Sequence, residues 1–165
     1  MSTMRNVCLC ISILLLLSVF AVSGASAAKE LQVSSATGTE GVKIFVTCNG
    51  SEQLIGYNLN ITWDPAVMNV TAVTNYCELE LFQSLPVPAT NGFVYVQSFS
   101  QSNSLSGNQT LLSLTCNALV HDGTATAITI DGAYVNHEVD EMVGDVMNDV
   151  TNEYVLVPGT FTTTD

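Results

Sequence analysis

The sequence has very few basic side chains. Only three of its 165 residues are Lys or Arg, whereas 15 are Asp or Glu, and the formal net charge is −12. Proteins that bind nucleic acid neutralise phosphates with Lys and Arg, so this composition excludes a nucleic-acid partner. Charged residues make up only 11% of the chain and hydrophobic residues 47%, which excludes a disordered acidic tail and predicts one folded domain.

Residues and motifs typical of a catalytic site are also scarce. The only histidines are His121 and His137, and the sequence contains no Gly-x-Ser-x-Gly nucleophile motif and no Asp-x-Asp-x-Asp-Gly calcium loop. We therefore predict a protein that is not an enzyme and that needs no cofactor. A looser structural calcium site is left open, because four acidic residues in one region could supply oxygen ligands: Asp131, Glu138, Asp140 and Glu141.

The chain has one long apolar run, and it lies at the N-terminus. Arg5 precedes an apolar segment from Val7 to Val22, and small residues follow as far as Ala28. This order is typical of a secretory signal peptide that is cleaved near its last small residues. The sequence therefore predicts a signal peptide over residues 1–28 and a secreted, extracellular domain over residues 29–165. No second run is long enough to cross a membrane, so we expect no membrane association after cleavage.

The rest of the chain alternates between apolar and polar residues in short segments separated by turn sequences such as Asn91-Gly92 and Asp122-Gly123. The pattern predicts an all-β protein, an eight- or nine-stranded jelly-roll β-sandwich. The acidic segment from Asp131 to Glu153 departs from it, and we expect a loop with a short helical piece there. The main predicted strands are Leu31–Val33, Val42–Cys48, Gly56–Trp63, Val67–Val73, Phe93–Phe99, Leu111–Leu119, Thr124–Ile130 and Tyr154–Phe161.

Three cysteines follow the signal peptide: Cys48, Cys77 and Cys116. Cys48 and Cys116 continue the apolar positions of their strands, so both are expected to face the core. An exported protein can form disulfides, but buried cysteines also pack as small hydrophobic residues. The sequence leaves both alternatives open.

Four Asn-x-Ser/Thr sequences are possible glycosylation sites. Their asparagines are Asn49, Asn60, Asn69 and Asn108. Such sequences also arise by chance in a chain rich in Asn and Thr. They matter only if the source organism glycosylates exported proteins.

The segment Ile55–Val70, which contains Trp63-Asp64-Pro65-Ala66-Val67, resembles the Asp-Pro block of cohesin domains. Gly41–Val46 resembles an early strand of that family, Leu111–Leu119 a later strand, and Val157–Thr160 the closing strand. Trp63 stands where the family usually has Tyr, and Met68 where it usually has Leu. The resemblance spans nearly the whole chain after the signal peptide.

The resemblance implies a nine-stranded jelly-roll sandwich that binds dockerin modules through one flat sheet face, using hydrogen bonds and a hydrophobic patch. In the family, polar residues on the strand before the Asp-Pro block contact the dockerin. Gly56 departs from this pattern, since the family often has a polar residue there. The candidate partner-binding residues are Asn58, Asn60 and Thr62, together with Ser113, Thr115 and Asn117 if their strand lies in the same sheet.

Two other functions stay open. A carbohydrate-binding module acting on extracellular polysaccharide would need aromatic rings that face solvent, because sugars stack on such rings. Phe45, Phe93 and Tyr95 are the candidates. The third alternative is a structural surface protein without a specific ligand. Fold analogy alone does not separate these functions.

Overall fold

The computed structural model describes residues 28–137 and 148–165, and this part of the chain consists of strands, turns and one 3-10 helix, Thr151–Glu153. The prediction of an all-β protein is confirmed. The predicted signal peptide lies outside the described residues except for Ala28. The strands are β1 (Lys29–Val33), β2 (Ala36–Gly38), β3 (Val42–Thr62), β4 (Met68–Asn75), β5 (Leu81–Leu85), β6 (Phe93–Phe99), β7 (Leu105–Ala118), β8 (Ala125–His137), β9 (Asn148–Asp149), β10 (Tyr154–Val157) and β11 (Gly159–Thr163).

Strand β3 is long enough to take part in both layers of a sandwich. Its first half pairs with β1 and β7, and its second half pairs with β6 and β8. Between the halves the register shifts twice, and the backbone turns through positive φ at Gly50 and Gln53. The front sheet therefore has the strand order β2-β11-β8-β3-β6-β5, and the back sheet has the order β10-β1-β3-β7-β4.

The two ends of the domain also change sheets. β1 pairs in parallel with β10 in the back sheet, and β2 pairs in parallel with β11 in the front sheet. The break in the closing strand falls at Pro158, which has no N–H to donate to a ladder. One interrupted strand pair thus closes both layers of the sandwich.

The core lies between the two sheets and follows from the alternation of β3. Tyr57, Leu59 and Ile61 are buried, whereas Asn58 and Asn60 between them are half-buried on the other side of the sheet. Strands of both sheets contribute the largest buried side chains, among them Phe161, Leu31, Ile44, Leu54, Met68, Leu111, Leu112, Leu114 and Ile128. In the described part of the chain, no helix is long and apolar enough to span a membrane.

The turn at Asp64-Pro65 fixes the end of β3. The indole Nε1 of Trp63 donates to the carbonyl of Met68 at 3.0 Å, and the carboxylate of Asp64 accepts from the amide of Ala66 at 2.8 Å. The amide of Trp63 donates to the carbonyl of Gly92 at 2.9 Å, which joins this turn to the start of β6. The block that resembles cohesins is therefore a structural corner.

Several strand boundaries differ from the sequence prediction. The predicted strands Val42–Cys48 and Gly56–Trp63 are one continuous strand, and β2, β5 and β9 were not predicted. The described residues contain eleven strands where eight or nine were expected. If the two halves of β3 count as two strands, and β1–β2 and β10–β11 each count as one interrupted strand, the number is ten, close to the expected eight or nine.

The expected loop after Ile130 is also wrong at its start. β8 continues to His137, because Ile130 and Val135 are buried opposite Ile61 and Tyr57 of β3. Asp131 is accommodated by a shift in register. The expected short helical piece falls mostly on residues 138–147, which lie outside the described residues.

The three cysteines are free and buried. The predicted inward orientation of Cys48 and Cys116 is confirmed, since both are fully buried. Burial raises the pKa of the Cys116 thiol to about 12. The Sγ atom of Cys77 donates to Oδ1 of Asn75 at 2.9 Å. Of the two alternatives left open by the sequence, the structure supports separate buried thiols.

Candidate partner-binding face

The three candidate residues of β3 share the outer side of the front sheet. Asn58, Asn60 and Thr62 alternate with buried residues, and each is half-buried. Side chains on a strand point alternately to opposite faces, so a core-facing Tyr57, Leu59 and Ile61 require these three to face outward. Here the structure brings together residues that the sequence assigned to one surface.

Neighbouring strands extend this surface in register. Asn58 lies opposite Gln97 of β6, which lies opposite Gln83 of β5. Asn60 lies opposite Tyr95, which lies opposite Leu85. We call this surface the front face. It consists of the outward-facing residues Asn58, Asn60, Thr62, Leu81, Gln83, Leu85, Phe93, Tyr95, Gln97 and Thr129, with Asp131.

Large apolar side chains stand on the front face beside the row of amides. Leu81 and Leu85 are 65% and 62% exposed, and Phe93 and Tyr95 are 40% and 42% exposed. The two leucines lie on β5 on either side of Gln83, so exposed apolar groups and amides alternate on one surface, a composition common at recognition sites. Amides and apolar groups side by side can form hydrogen bonds and bury hydrophobic area in one contact.

The carboxylate of Asp131 connects β3 and β8 at one border of the front face. Oδ2 of Asp131 accepts from the hydroxyl of Thr62 at 2.8 Å, and Oδ1 accepts from the hydroxyl of Thr129 at 3.0 Å. These bonds connect β3 to β8 at the position where the register of the pair shifts. Thr62 is therefore less free than Asn58 or Asn60 to bond with a partner.

The candidates on β7 do not join the front face. β7 pairs with β4 and with the first half of β3, so it belongs to the back sheet. Its residues were candidates only if their strand lay in the same sheet as Asn58, Asn60 and Thr62, and it does not. Ser113 is fully buried, and Oδ1 of Asn117 already accepts from the amide of Gly41 at 2.9 Å. The carbonyl of Thr115 accepts from the hydroxyl of Thr71 at 3.1 Å.

The sequence missed Leu81 and Leu85 and left Phe93 and Tyr95 undecided. In β5 an apolar Phe82 separates residues that are also partly apolar, so the alternation does not show which side faces solvent. Leu85 and Tyr95 can be assigned to the outer side of the front sheet only because β5 pairs with β6 and places them opposite each other. Phe45, the other aromatic candidate, is half-buried in the back sheet, where its ring centroid lies 5.9 Å from that of Tyr76.

The basic residues of the domain lie away from the front face. Lys29 of β1 forms ion pairs with Glu153 at 2.6 Å and with Glu52 at 3.6 Å. Lys43 lies in the first half of β3, opposite Thr115 in the back sheet. The front face therefore carries the carboxylate of Asp131 and no ammonium or guanidinium group.

The candidate modification and metal residues are spread over the surface. Asn60 is on the front face, Asn108 is exposed in β7, and Asn49 and Asn69 are half-buried in β3 and β4. Glycosylation at all four stays a prediction. Of the candidate calcium ligands, only Asp131 is described, and the described residues contain no group of three or more His, Cys, Asp or Glu suited to a metal ion.

Comparison with known proteins shows that the chain shares the fold of cohesins. No protein-family model and no curated protein matches the chain. A non-cellulosomal cohesin from the hyperthermophilic archaeon Archaeoglobus fulgidus matches with a TM-score of 0.65 and 18% identity, over 84% of this chain and 93% of that one. A cohesin from Acetivibrio cellulolyticus, solved in complex with a dockerin, matches with a TM-score of 0.68 and 13% identity, over 83% and 99%. A cohesin module from a Clostridium perfringens family 33 glycoside hydrolase matches with a TM-score of 0.63 and 10% identity, over 83% and 97%.

Proposed function

Since the chain has the cohesin fold, we propose that it is an exported, non-catalytic binding module that recognises a dockerin-bearing protein through its front face. The observation that carries the proposal is the position of Leu81, Leu85 and Tyr95 beside Asn58 and Asn60 on the outer side of one sheet. The similar cohesin from Acetivibrio cellulolyticus was solved bound to a dockerin. That precedent supports the choice of partner class.

A sheet suits this role because it is ordered before it binds. Asn58 and Asn60 are held between β6 and β8 on both sides, so little conformational freedom is lost when a partner docks. The exposed leucines lie on β5, and the amides of Asn58, Gln97 and Gln83 form a row that crosses β3, β6 and β5 between these leucines. A partner should therefore present an apolar stripe next to hydrogen-bonding groups.

The charge of the module defines the partner further. With 15 acidic and three basic residues, the chain attracts positively charged surfaces and repels acidic ones. We expect the partner to carry Lys or Arg around its apolar stripe. Such complementarity accelerates association and makes its rate fall as salt is added.

Partner binding through the front face also depends on whether Asn60 is glycosylated. It is both a front-face residue and the asparagine of a possible glycosylation site. A glycan there would separate the front face from a flat partner surface. The proposed function therefore requires Asn60 to be unmodified in the active form.

The test is a pull-down with residues 29–165 from the native secretome, with and without a calcium chelator. We expect recovery of a protein that contains paired Asp-x-Asn-x-Asp-Gly calcium loops, with recovery abolished by the chelator. The variant Asn58→Arg with Tyr95→Arg places two charges on the front face and should abolish recovery. Ala72→Arg with Thr74→Arg places two charges on exposed positions of β4 in the back sheet and serves as the matched control.

Equal recovery with both double variants contradicts the use of the front face. Recovery of no calcium-loop protein from a secretome that contains one contradicts the dockerin proposal itself. Circular dichroism of each variant separates these outcomes from a loss of folding.

A specific observation also favours carbohydrate binding as a second candidate. Phe93 and Tyr95 are exposed on the same side of β6, where residues two apart are separated by about 6.6 Å along the strand. Two such rings can stack against neighbouring sugar units. Retention on insoluble polysaccharide that is lost in Tyr95→Ala and unaffected by chelator would favour this function over the first.

A further inference from the structure

The strand at one edge of the front sheet has an unpaired side. Among the residues that the structure describes, β5 pairs only with β6. Its residues, Leu81-Phe82-Gln83-Ser84-Leu85, include no charged residue and no proline. Proteins usually protect such edges with charge or proline inside the strand, because open backbone groups there pair readily with another strand.

The backbone groups at the open edge can be identified. The carbonyl of Leu81 accepts from the hydroxyl of Ser98 in β6 at 2.8 Å, so that carbonyl points toward β6. Backbone groups of successive strand residues point to alternate sides. The N–H and C=O groups of Phe82 and Ser84 therefore point toward the open edge.

The sequence of β5 is symmetric in its chemistry about Gln83. In an antiparallel pair of two copies centred on this residue, Leu81 lies opposite Leu85 of the second copy, and Phe82 lies opposite Ser84 of the second copy. The outward-pointing backbone groups of Phe82 and Ser84 then exchange hydrogen bonds, which is the pattern of an antiparallel hydrogen-bonded pair. Gln83 faces itself across the twofold axis.

We propose that β5 pairs with β5 of a second copy of this chain, in antiparallel register centred on Gln83. The two most exposed leucines of the domain, Leu81 and Leu85, then lie side by side across the junction, on the front side of the joined sheets. In such an isologous interface both copies use the same strand, so neither copy keeps an open β5 edge and the assembly stops at a dimer. This inference does not depend on the identity of any other partner.

The residues that flank β5 are compatible with this register despite the acidity of the chain. Glu80 lies opposite Pro86 of the second copy, and Glu78 lies opposite Pro88. No two carboxylates from the two copies face each other, and the prolines limit pairing to the five residues of β5. The exposed carboxylate of Glu80 also accepts from the hydroxyl of Ser102 and from the amide of Gln101 within its own chain.

Pairing in this register has a functional consequence. A twofold axis through an antiparallel strand pair is perpendicular to the sheet, so the front faces of both copies lie on the same side. The dimer is then a bivalent module with two adjacent front faces. Two linked sites can bind a partner that carries two recognition elements far more tightly than one site can.

A small interface predicts a weak dimer, whose association increases with salt. One five-residue strand pair buries less than the roughly 1,200 Å² of a standard stable interface. The two copies each carry a formal net charge of −12, and added salt screens their repulsion. Most protein contacts that depend on opposite charges show the reverse dependence.

Disulfide trapping tests the register. Gln83→Cys places two thiols opposite each other at the twofold axis, where cross-strand Cβ atoms lie about 4.5–5.5 Å apart. Gln97→Cys is the matched control, because Gln97 is an exposed glutamine adjacent to Gln83 in register but lies one strand further from the axis. We expect glutathione buffer to convert Gln83→Cys to a covalent dimer at least tenfold faster than Gln97→Cys. Equal rates in the two variants would overturn the proposal.

Sedimentation of the protein without added cysteines provides an independent test. Residues 29–165 should shift from one chain toward two as concentration and sodium chloride rise, whereas Gln83→Lys should stay a monomer. Mixing Gln83→Lys with Gln83→Glu should restore the dimer, because opposite charges then face each other at the axis. A dimer that Gln83→Lys leaves intact, or a monomer at every concentration and salt level, contradicts the pairing.

Discussion

The hydroxyl of Thr62 in β3 donates a hydrogen bond to Oδ2 of Asp131 at 2.8 Å, across a shift in the register between β3 and β8. The other carboxylate oxygen of Asp131 accepts from Thr129. One acidic side chain thus connects two strands on the front face. Its position shows how the acidic segment, which the sequence assigns to a loop, begins as an ordered part of the sheet.

Removal of this carboxylate should weaken the border of the front face. Asp131→Ala eliminates both hydrogen bonds, and we expect the free energy of unfolding to fall by about 1 kcal/mol. Urea titration measures the change. Asp122→Ala removes a carboxylate that accepts from the amide of Thr124 in the turn before β8, away from the front face, and serves as the comparison. A free energy of unfolding that Asp131→Ala leaves unchanged would contradict the structural role of Asp131.

Two glycines with similar backbone conformations should respond differently to alanine. Gly92 has φ +82°, and an added Cβ would lie 2.8 Å from both the carbonyl oxygen of Trp63 and Cδ of Pro65. Gly123 has φ +78° with nothing within 4 Å of an added Cβ. Gly123→Ala should cost only the conformational penalty, about 1 kcal/mol.

Gly92→Ala should cost about 2 kcal/mol more, because overpacking against a backbone carbonyl and a rigid ring adds to the same conformational penalty. Denaturant titration of both variants measures the difference. Similar losses would mean that the Asp64-Pro65 corner can shift to make room, and the corner would then not be a rigid element.

The cysteines should stay reduced in the exported protein. Cys48, Cys77 and Cys116 are free and buried, so iodoacetamide should label none of them in the native state. All three should be labelled in guanidinium without prior reduction. Mass spectrometry counts the labels. A mass that rises by fewer than three labels after denaturation would indicate a disulfide.

Alkaline pH should destabilise the fold through the buried thiol of Cys116. Burial raises the pKa of this thiol from its ordinary 9.0 to about 12. The folded state therefore retains a proton that the unfolded chain releases, and the stability from this group is complete below pH 9.0 and falls as the pH rises toward about 12.

Cys116→Ala should therefore flatten the loss of stability over this pH range. Urea titrations at pH 7 and near the upper end of the range give the slopes. Some slope should persist, since desolvation also raises the pKa of buried Tyr57 and of Tyr154. An unchanged slope in Cys116→Ala would contradict the assignment.

The exported protein should begin near Lys29, the first residue of β1. Cleavage there frees the start of the strand that pairs with β10, and Lys29 already forms an ion pair with Glu153 beside β10. Intact-mass analysis of secreted protein gives the N-terminus, and any added sugar at Asn60 appears in the same spectrum. A secreted chain that retains residues 1–28 would contradict the predicted cleavage.

The alternation of apolar and polar residues was sufficient to predict which side of a strand faces outward wherever the strand has one apolar and one polar side. The alternation around Leu59 and Ile61 gave the outward side of β3 correctly, and β6 was predicted with the bounds Phe93–Phe99 that the structure has. The period of two depends only on the backbone of each strand, so it can be read without knowledge of the fold. The all-β class and the inward Cys48 and Cys116 follow from the same property.

The tertiary structure decided which strands are neighbours. Ser113, Thr115 and Asn117 have the right chemistry for a binding surface, but β7 pairs with β4 and with the first half of β3, in the other sheet. Leu81 and Leu85 join the front face only because β5 pairs with β6. The sequence by itself determined the two sides of most strands. Sheet membership depends on hydrogen bonds between segments far apart in the chain, and no local period encodes them.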